Sequence, residues 1–205
     1  MNTHLKQKVE KFTQAKVARQ LGLYPYFRPI HSAQDTEVLI NGKNVLMFGS
    51  NSYLGLTNHP KVKEETINAV EKYGSGCAGS RFLNGTLDIH LELEERLASF
   101  VGKESALVFS TGFQVNQGVL SSIVGRNDYL IMDEFNHASL IDGARLSFAK
   151  TFKYKHNDMH SLEKLLASIS SDSFKLIVTD GIFSMEGDIA PIDNIVELAK
   201  QYNAS

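Results

Sequence analysis

Apolar and polar positions along this chain form blocks that predict strands and helices in turn. The clearest block is 105–116, where the apolar run Ala106–Phe109 leads through Ser110, Thr111 and Gly112 into a segment that is apolar at every third or fourth residue. A short unbroken apolar run favours a strand buried on both faces, and the longer spacing favours one face of a helix. The pattern therefore predicts a strand, a tight turn and a helix.

The same alternation continues to the last residue. The predicted strands are 105–109, 129–132, 151–154 and 175–179, and the predicted helices are 87–101, 113–124, 138–147, 158–169 and a final one opened by Pro191. Strands that alternate with helices at this spacing imply right-handed crossovers and a mostly parallel sheet. We therefore predict an α/β fold with helices on both faces of the sheet.

The first 48 residues follow a different pattern. Residues 1–22 predict a charged amphipathic helix closed by Gly22, and the aromatic, proline-containing stretch 24–29 predicts an extended connector. Two short apolar runs then flank Asn41-Gly42, which is a strong hairpin signal. We predict an N-terminal arm, connector and hairpin over 1–48, and the first part of a larger α/β domain over 49–205.

A glycine-rich loop follows the helix predicted from Pro60 to Tyr73. Residues 74–79 match the dinucleotide-binding fingerprint letter by letter. That fingerprint needs a strand before it and a helix after it, whereas here a helix precedes it and a second glycine turn at 84–86 follows. We therefore predict a backbone loop with unusual dihedral angles, and only tight NAD binding would revive a plain nucleotide-binding domain.

Polar clusters follow three of the predicted strands, at 110–112, 133–139 and 180–188. Ligands of parallel sheets bind outside the carboxyl ends of the strands, so we expect these loops to converge on one site. A helix starting after Gly112 would direct free N–H groups and its positive dipole end at an anion. On that stretch alone, a simple helix cap at Ser110 or Thr111 is the alternative.

Composition limits the function classes. Twenty-one Lys and Arg against 23 Asp and Glu leave a net charge of -2, and neither sign forms a long run, so no nucleic-acid partner is expected. Cys77 is the single cysteine, which excludes an intrachain disulfide and fits a reducing compartment. The polar N-terminus and the lack of a long apolar run predict a cytoplasmic protein without a transmembrane segment.

The histidines and serines restrict the chemistry further. None of the seven histidines has the His-Glu-x-x-His spacing of a metal site, so no metal is expected. Ser184 lacks the flanking glycines of a hydrolase nucleophile elbow. The residues themselves thus predict an anion-binding α/β site with His137 and Ser184 nearby.

Five motifs, in order, resemble those of the α-oxoamine synthases, which are fold-type I enzymes dependent on pyridoxal 5′-phosphate (PLP). They are Asn51–Leu56, Gly74–Thr86, Phe109–Phe113, His137–Ser139 and Asp180–Asp188. The likeness covers nearly the whole chain. It implies the large PLP-binding domain of an aspartate aminotransferase-like fold, truncated before its remainder and its C-terminal domain.

The resemblance also implies roles for individual residues. His137 is expected to stack on the cofactor ring, to lie near the substrate carboxylate and to orient the amino acid for deprotonation at Cα. Asn51 is expected near the amino-acid substrate and the interface of a homodimer with shared active sites. The expected cofactor-binding residues are Thr111, Gly112, Phe113, His137 and Ser184.

The implied reaction joins an amino acid to an acyl-CoA with loss of carbon dioxide, giving an α-amino ketone. L-Serine with palmitoyl-CoA is favoured. The alternatives within the same chemistry are a glycine C-acetyltransferase, which uses glycine with a short acyl-CoA, and an 8-amino-7-oxononanoate synthase. The family's Schiff-base lysine, and the aspartate that pairs with the pyridinium nitrogen, are expected beyond Ser205, so the 205-residue chain alone is expected to be inactive. A non-catalytic partner subunit is the alternative of another class, and the downstream coding sequence distinguishes the two.

Overall fold

The computed structural model describes residues 3–205, and its contacts divide it into two compact units, one ending at Thr86 and one running from Leu87 to Ser205. The predicted boundary near residue 48 stays a prediction. No helix within the described residues is long and apolar enough to cross a lipid bilayer.

The first unit contains three helices and a hairpin: α1 Thr3–Glu10, α2 Gln14–Gln20, β1 Glu37–Ile40, β2 Lys43–Leu46 and α3 Pro60–Tyr73. The hairpin prediction is confirmed, because β1 and β2 pair antiparallel and both turn residues, Asn41 and Gly42, have positive φ angles of 50° and 74°. Such angles define the tight turn that matches the twist of paired strands. Pro60 occupies the start of α3, as predicted.

The single helix predicted over residues 1–22 is wrong. The structure has two short helices, α1 and α2, separated at residues 11–13, and neither has a buried residue. An isolated helix gains little without a packed face, and Phe12 and Thr13 are weaker helix formers than their neighbours. Met1 and Asn2, which the same prediction covered, lie outside the described residues.

The second unit carries the parallel sheet. Its elements are α4 Asp88–Val101, α5 Gly112–Ile123, β3 Tyr129–Asp133, α6 Ala138–Ser147, β4 Lys150–Tyr154, α7 Met159–Ala167, β5 Lys175–Val178, β6 Ile182–Phe183, β7 Asp188–Ile189 and α8 Ile192–Gln201. The strand order is β4-β3-β5, all parallel, and β6 and β7 form a separate antiparallel pair. The alternation of strands and helices is thus confirmed.

Helices cover both faces of this sheet, because neighbouring side chains of β3 point to opposite sides. Leu130 and Met132 pack into a core with residues of α5 and α6, including Leu120 and Ala144. Ile131 packs on the other side with residues of α7 and α8, in a core formed by Ile131, Tyr154, Leu162, Leu166, Phe183, Ala190 and Ile195. The three strands therefore hold their carboxyl ends at one fixed edge.

The strand predicted at 105–109 is wrong. These residues form no strand and pair with none of the described strands. Val108 instead donates its backbone N–H to the Glu94 carboxylate of α4 at 2.8 Å. An apolar run can become a strand only where a neighbouring strand accepts its backbone hydrogen bonds, and in this segment a side chain takes that place.

Candidate active site

The loops that follow β3 and β5 are tied together at the carboxyl edge of the sheet. Asn136, which is 4% exposed, donates from Nδ2 to the carbonyl of Val178 at 2.8 Å and accepts the backbone N–H of Asp180 at 3.0 Å. The Asp180 carboxylate accepts the backbone N–H of His137 at 2.7 Å. The predicted convergence of these two loops is confirmed.

His137 is the N-cap residue of α6. Its Nδ1 accepts the backbone N–H of Ser139 at 3.2 Å. The imidazole therefore satisfies a free N–H group of the first helical turn, a role that Ser, Thr, Asp or Asn side chains usually have. The Phe113 ring meets the imidazole edge to face, with ring centroids 6.3 Å apart. The start of α5 therefore joins the two other loops, and the imidazole stays exposed to solvent.

The start of α5 has the form of an anion site. Thr111 caps the helix, since its side-chain oxygen accepts the backbone N–H of Gln114 at 3.1 Å. The backbone N–H groups of Gly112 and Phe113 donate to no acceptor within residues 3–205, and a Cβ at Gly112 would meet open space. The helix cap and the anion site are thus compatible. Thr111 satisfies the N–H of Gln114, and the N–H groups of Gly112 and Phe113 stay open at the positive end of the helix dipole.

Ser184 lies in the turn of the β6–β7 hairpin and is exposed. No hydrogen bond within the described residues joins its side chain to His137. The hairpin is anchored instead by Phe183, which is 2% exposed in the core below the sheet. The structure therefore brings Thr111–Phe113 and His137 together and leaves the role of Ser184 as a prediction.

A second histidine, His156, is not among the predicted site residues and ties the hairpin to the sheet. His156 follows β4, and its two ring nitrogens lie 3.0 Å from the Asp133 carboxylate and 3.2 Å from that of Asp188. Phe135 stacks on one face of the imidazole at 4.7 Å, and Phe183 meets it edge-on at 4.5 Å. The place of His156 two residues after the predicted strand 151–154 was the one signal that could have put it at this edge of the sheet, and nothing near it in the sequence indicates its two partners.

Asp133 is the centre of this second cluster and is 1% exposed. Besides His156, it accepts the backbone N–H groups of Phe135 at 2.9 Å and of Asn157 at 3.0 Å, so its buried oxygens are satisfied. Burial works to lower the pKa of His156, but the hydrogen bonds and charges of Asp133 and Asp188 outweigh it, so the pKa is raised. The cluster holds three loops at one point.

Asn51 belongs to the first unit and is exposed. Its backbone carbonyl accepts the N–H of Tyr53 at 2.9 Å. A cavity of about 270 Å³ lies beside it, and residues on its lining include Ser50, Ser52 and Asp35. The hydrogen bond from Asn58 to Asp35, 2.7 Å long, is the main reason that the pKa of the Asp35 carboxyl is lowered. The substrate role of Asn51 remains a prediction.

The glycine-rich loop is a backbone turn that follows helix α3 and no strand, as predicted, but of its glycines only Gly74 has a positive φ angle, 81°, so the several unusual dihedral angles predicted for it reduce to one. Gly79 and Gly85 sit so close that a Cβ at Gly85 would overlap the carbonyl oxygen of Gly79, and a Cβ at Gly79 would overlap the Asn84 side chain. Backbone blocks a side chain at Gly85, so only glycine fits there, whereas at Gly79 the Asn84 side chain would have to move. The rejection of the dinucleotide fingerprint is confirmed.

Comparison with known proteins gives the same picture. Residues 43–205 match the family model described as aminotransferase class I and II. A serine palmitoyltransferase of Sphingobacterium spiritivorum is 58% identical over 98% of this chain and 50% of its own length. An 8-amino-7-oxononanoate synthase of Geobacter sulfurreducens is 47% identical over 91% of the chain and 48% of its own length.

The fold is shared with solved structures. The structure of S. paucimobilis serine palmitoyltransferase with a bound PLP–myriocin aldimine superposes with a TM-score of 0.92 at 35% identity, over 100% of this chain and 52% of the other. The predicted PLP-dependent transferase fold is therefore confirmed. The chain spans about half the length of the curated relatives that it matches.

Proposed function

The chain belongs to the class I and II aminotransferase family, and on that premise we propose that it forms part of a PLP-dependent α-oxoamine synthase. Bound PLP would act as an electron sink for negative charge at the amino-acid Cα. The observation that carries the proposal is the start of α5, where Gly112 and Phe113 offer open N–H donors beside His137. Such a helix end fits a phosphate group.

The residues of the site divide the work in this proposal. Thr111, Gly112 and Phe113 hold the phosphate, and His137 lies along the ring and orients the amino acid for loss of the Cα proton. Ser184 adds a hydrogen bond from the β6–β7 turn, and Asn51 contacts the amino-acid substrate. Asp180 supports this arrangement, because its carboxylate holds the backbone of His137 in place at 2.7 Å.

We further propose that the substrates are L-serine and palmitoyl-CoA and that the product is the α-amino ketone that opens sphingolipid biosynthesis. This choice rests on sequence, since four serine palmitoyltransferases are 56–58% identical to the chain and four 8-amino-7-oxononanoate synthases are 44–48% identical. Glycine with a short acyl-CoA, as in a glycine C-acetyltransferase, remains the competing pair for the same site.

The complete product of the gene tests these proposals. Serine with palmitoyl-CoA should be turned over faster than glycine with acetyl-CoA, and the reverse preference would overturn the substrate assignment. His137→Asn should lower kcat about 10²-fold, because the amino acid would lose the ring that orients it for loss of the Cα proton. It should leave the unfolding free energy nearly unchanged if the new side chain caps α6 as well. An unaltered kcat would remove His137 from the site.

Cofactor binding is tested separately by titrating PLP and following its visible absorbance. Gly112→Asp adds a negative charge at the proposed phosphate position, so it should weaken PLP binding strongly. Gly125→Asp places the same charge in the loop after α5 and is the control. Equal affinities for both variants would contradict the phosphate site.

A cytoplasmic homodimer is the assembly that we propose for the complete protein. The near-neutral charge and the single cysteine support the compartment, and the family resemblance supports the dimer. Light scattering of the purified protein and fractionation of cells check the two parts. A monomer that is fully active would contradict shared active sites.

A further inference from the structure

Three side chains form a line that ends on His137. Asn116 of α5 donates from Nδ2 to the hydroxyl oxygen of Ser139 at 2.8 Å, and that oxygen lies 2.7 Å from Nδ1 of His137. The backbone N–H of Ser139 also points at Nδ1, at 3.2 Å. Ser139 is 1% exposed, so water does not replace these partners.

The direction of each hydrogen bond follows from the chemistry of the donors. A backbone N–H can only donate, so the contact of Ser139 N–H at 3.2 Å favours a lone pair on Nδ1 of His137, but the shorter contact with the Ser139 hydroxyl, at 2.7 Å, is the one that decides the tautomer. The amide nitrogen of Asn116 also only donates, which makes the Ser139 oxygen an acceptor and leaves its proton free for Nδ1. Both bonds thus end on Nδ1, and a neutral imidazole with Nδ1 unprotonated carries its proton on Nε2.

We propose that Asn116 and Ser139 are positioning residues that hold His137 in its Nε2–H form. Nε2 makes no hydrogen bond within residues 3–205, and the imidazole is exposed at the edge where the loops after β3 and β5 meet. The N–H group is therefore directed outward to the site while Nδ1 is engaged with α6. Asn116, on the neighbouring helix α5, thus fixes the direction in which the Ser139 hydroxyl donates its proton.

The effect of this tautomer on substrate binding rests on the proposed function. An outward N–H donates to an anionic acceptor, and the carboxylate of an amino acid is such a group, with a charge-assisted bond about twice as strong as a neutral one. The opposite tautomer would turn a lone pair toward the same carboxylate and repel it. The line from Asn116 thus selects substrates that carry a carboxylate beside the reacting carbon.

The tautomer is measured directly by nitrogen NMR. The complete gene product, free of cofactor and labelled with ¹⁵N in histidine, is studied at about pH 8, above the ordinary histidine pKa of about 6.5. The signals of His137 are assigned from their absence in His137→Asn. Long-range proton–nitrogen correlations then show which ring nitrogen carries the proton.

Asn116→Asp is the informative variant, because it keeps the shape but replaces a donor with an acceptor. The Ser139 hydroxyl then donates to the new carboxylate, and its oxygen is left to accept a proton from Nδ1. Asn127→Asp is the control, since it makes the same change at an exposed position in the loop after α5.

The wild type and the control should show His137 with a protonated Nε2, and Asn116→Asp should shift protonation to Nδ1. A wild-type ring protonated at Nδ1, or an even mixture of both forms, would overturn the proposal even if the variant does not fold. An unchanged pattern in Asn116→Asp would do the same. Because the NMR measurement is made without cofactor, a failure of the protein to bind PLP would not affect the tautomer assignment and would contradict the proposed function alone.

Discussion

His156 links residues that are far apart in the sequence through two carboxylates, and its charge state sets how strongly it does so. The raised pKa of His156 means that the folded protein binds the histidine proton more tightly than the unfolded chain does. The stabilisation is then complete below the unfolded value of about 6.5 and is lost as the pH rises through the raised folded value. The β6–β7 hairpin should loosen over that range.

Asp188→Asn removes the more exposed of the two partners, whose side chain is 55% accessible. Urea unfolding of the variant should show a loss of up to about 1 kcal/mol at acidic pH and almost none at about pH 9, as expected for a solvent-screened pair. Asp172→Asn, at an exposed position in the loop before β5, is the matched control. A loss of stability that is the same at both pH values would contradict an ionic link.

Thr111 is predicted to stabilise the start of α5 independently of any ligand. Thr111→Val keeps the shape of the side chain but removes the oxygen that accepts the N–H of Gln114, so the free energy of unfolding should fall by about 1 kcal/mol. Thr111→Ser keeps the hydroxyl and should stay within a few tenths of the wild type. Thermal unfolding followed by circular dichroism gives both values, and equal losses would show that the cap is not the cause.

The residues of the site differ in how far the sequence could predict them. His137 and Asp180 lie in loops that follow two correctly predicted strands, and the rule that such loops meet at one edge brought them together correctly. Phe113, in the first turn of α5, also reaches His137, although the strand predicted before it does not form. His156 was missed because its importance comes from Asp133 and Asp188, 23 and 32 residues away. A local pattern contains no information about such partners.

At the scale of elements, α5 and α6 approach unusually closely. A Cβ at Gly143 of α6 would lie 2.8 Å from the backbone carbonyl oxygen of Asn116 in α5. Gly118 of α5 offers a comparison, because a Cβ there would also meet an atom at 2.8 Å, but that atom belongs to the Phe109 ring, which is a side chain and can shift. At Gly143 the nearest obstacle is thus backbone, whereas at Gly118 it is a side chain.

Alanine at either position gains the same helix propensity, about 1 kcal/mol. Gly143→Ala should nevertheless destabilise the protein by about 1–3 kcal/mol, since backbone must move, whereas Gly118→Ala should be close to neutral. Urea unfolding measures both. If the two alanine variants were equally stable, the close approach of α5 to α6 would be disproved, and the distance between Asn116 and Ser139 would lose its structural cause.

The elements themselves were predictable where local signals and packing agree. Helices with caps and glycine ends, such as α4 before Gly102, and the Asn41-Gly42 hairpin were correct. The segment 105–109 was not, because strand formation depends on a partner strand, and Val108 binds a glutamate instead. The β6–β7 pair was also missed, since two strands of two residues each leave no periodic pattern.

At the scale of the whole molecule, the hydrophobic core is distributed very unevenly. Among the buried hydrophobic residues of the described chain, only Val38 belongs to the unit that ends at Thr86. The two cores that sandwich the sheet lie within 87–205. Burial of apolar surface is the main favourable term in folding, so most of the cooperative stability should reside in the second unit.

Expression of residues 87–205 alone tests this expectation. The piece should unfold in a single transition by circular dichroism and by fluorescence, at a denaturant midpoint close to that of the main transition of the 205-residue chain. Residues 1–86 alone should show no such transition, because the unit contains almost no buried core. Gly143→Ala should lower the midpoint of the piece and of the longer chain by the same amount, since α5 and α6 are intact in both. If the 205-residue chain unfolds cooperatively and this piece does not, the sheet depends on residues before Leu87.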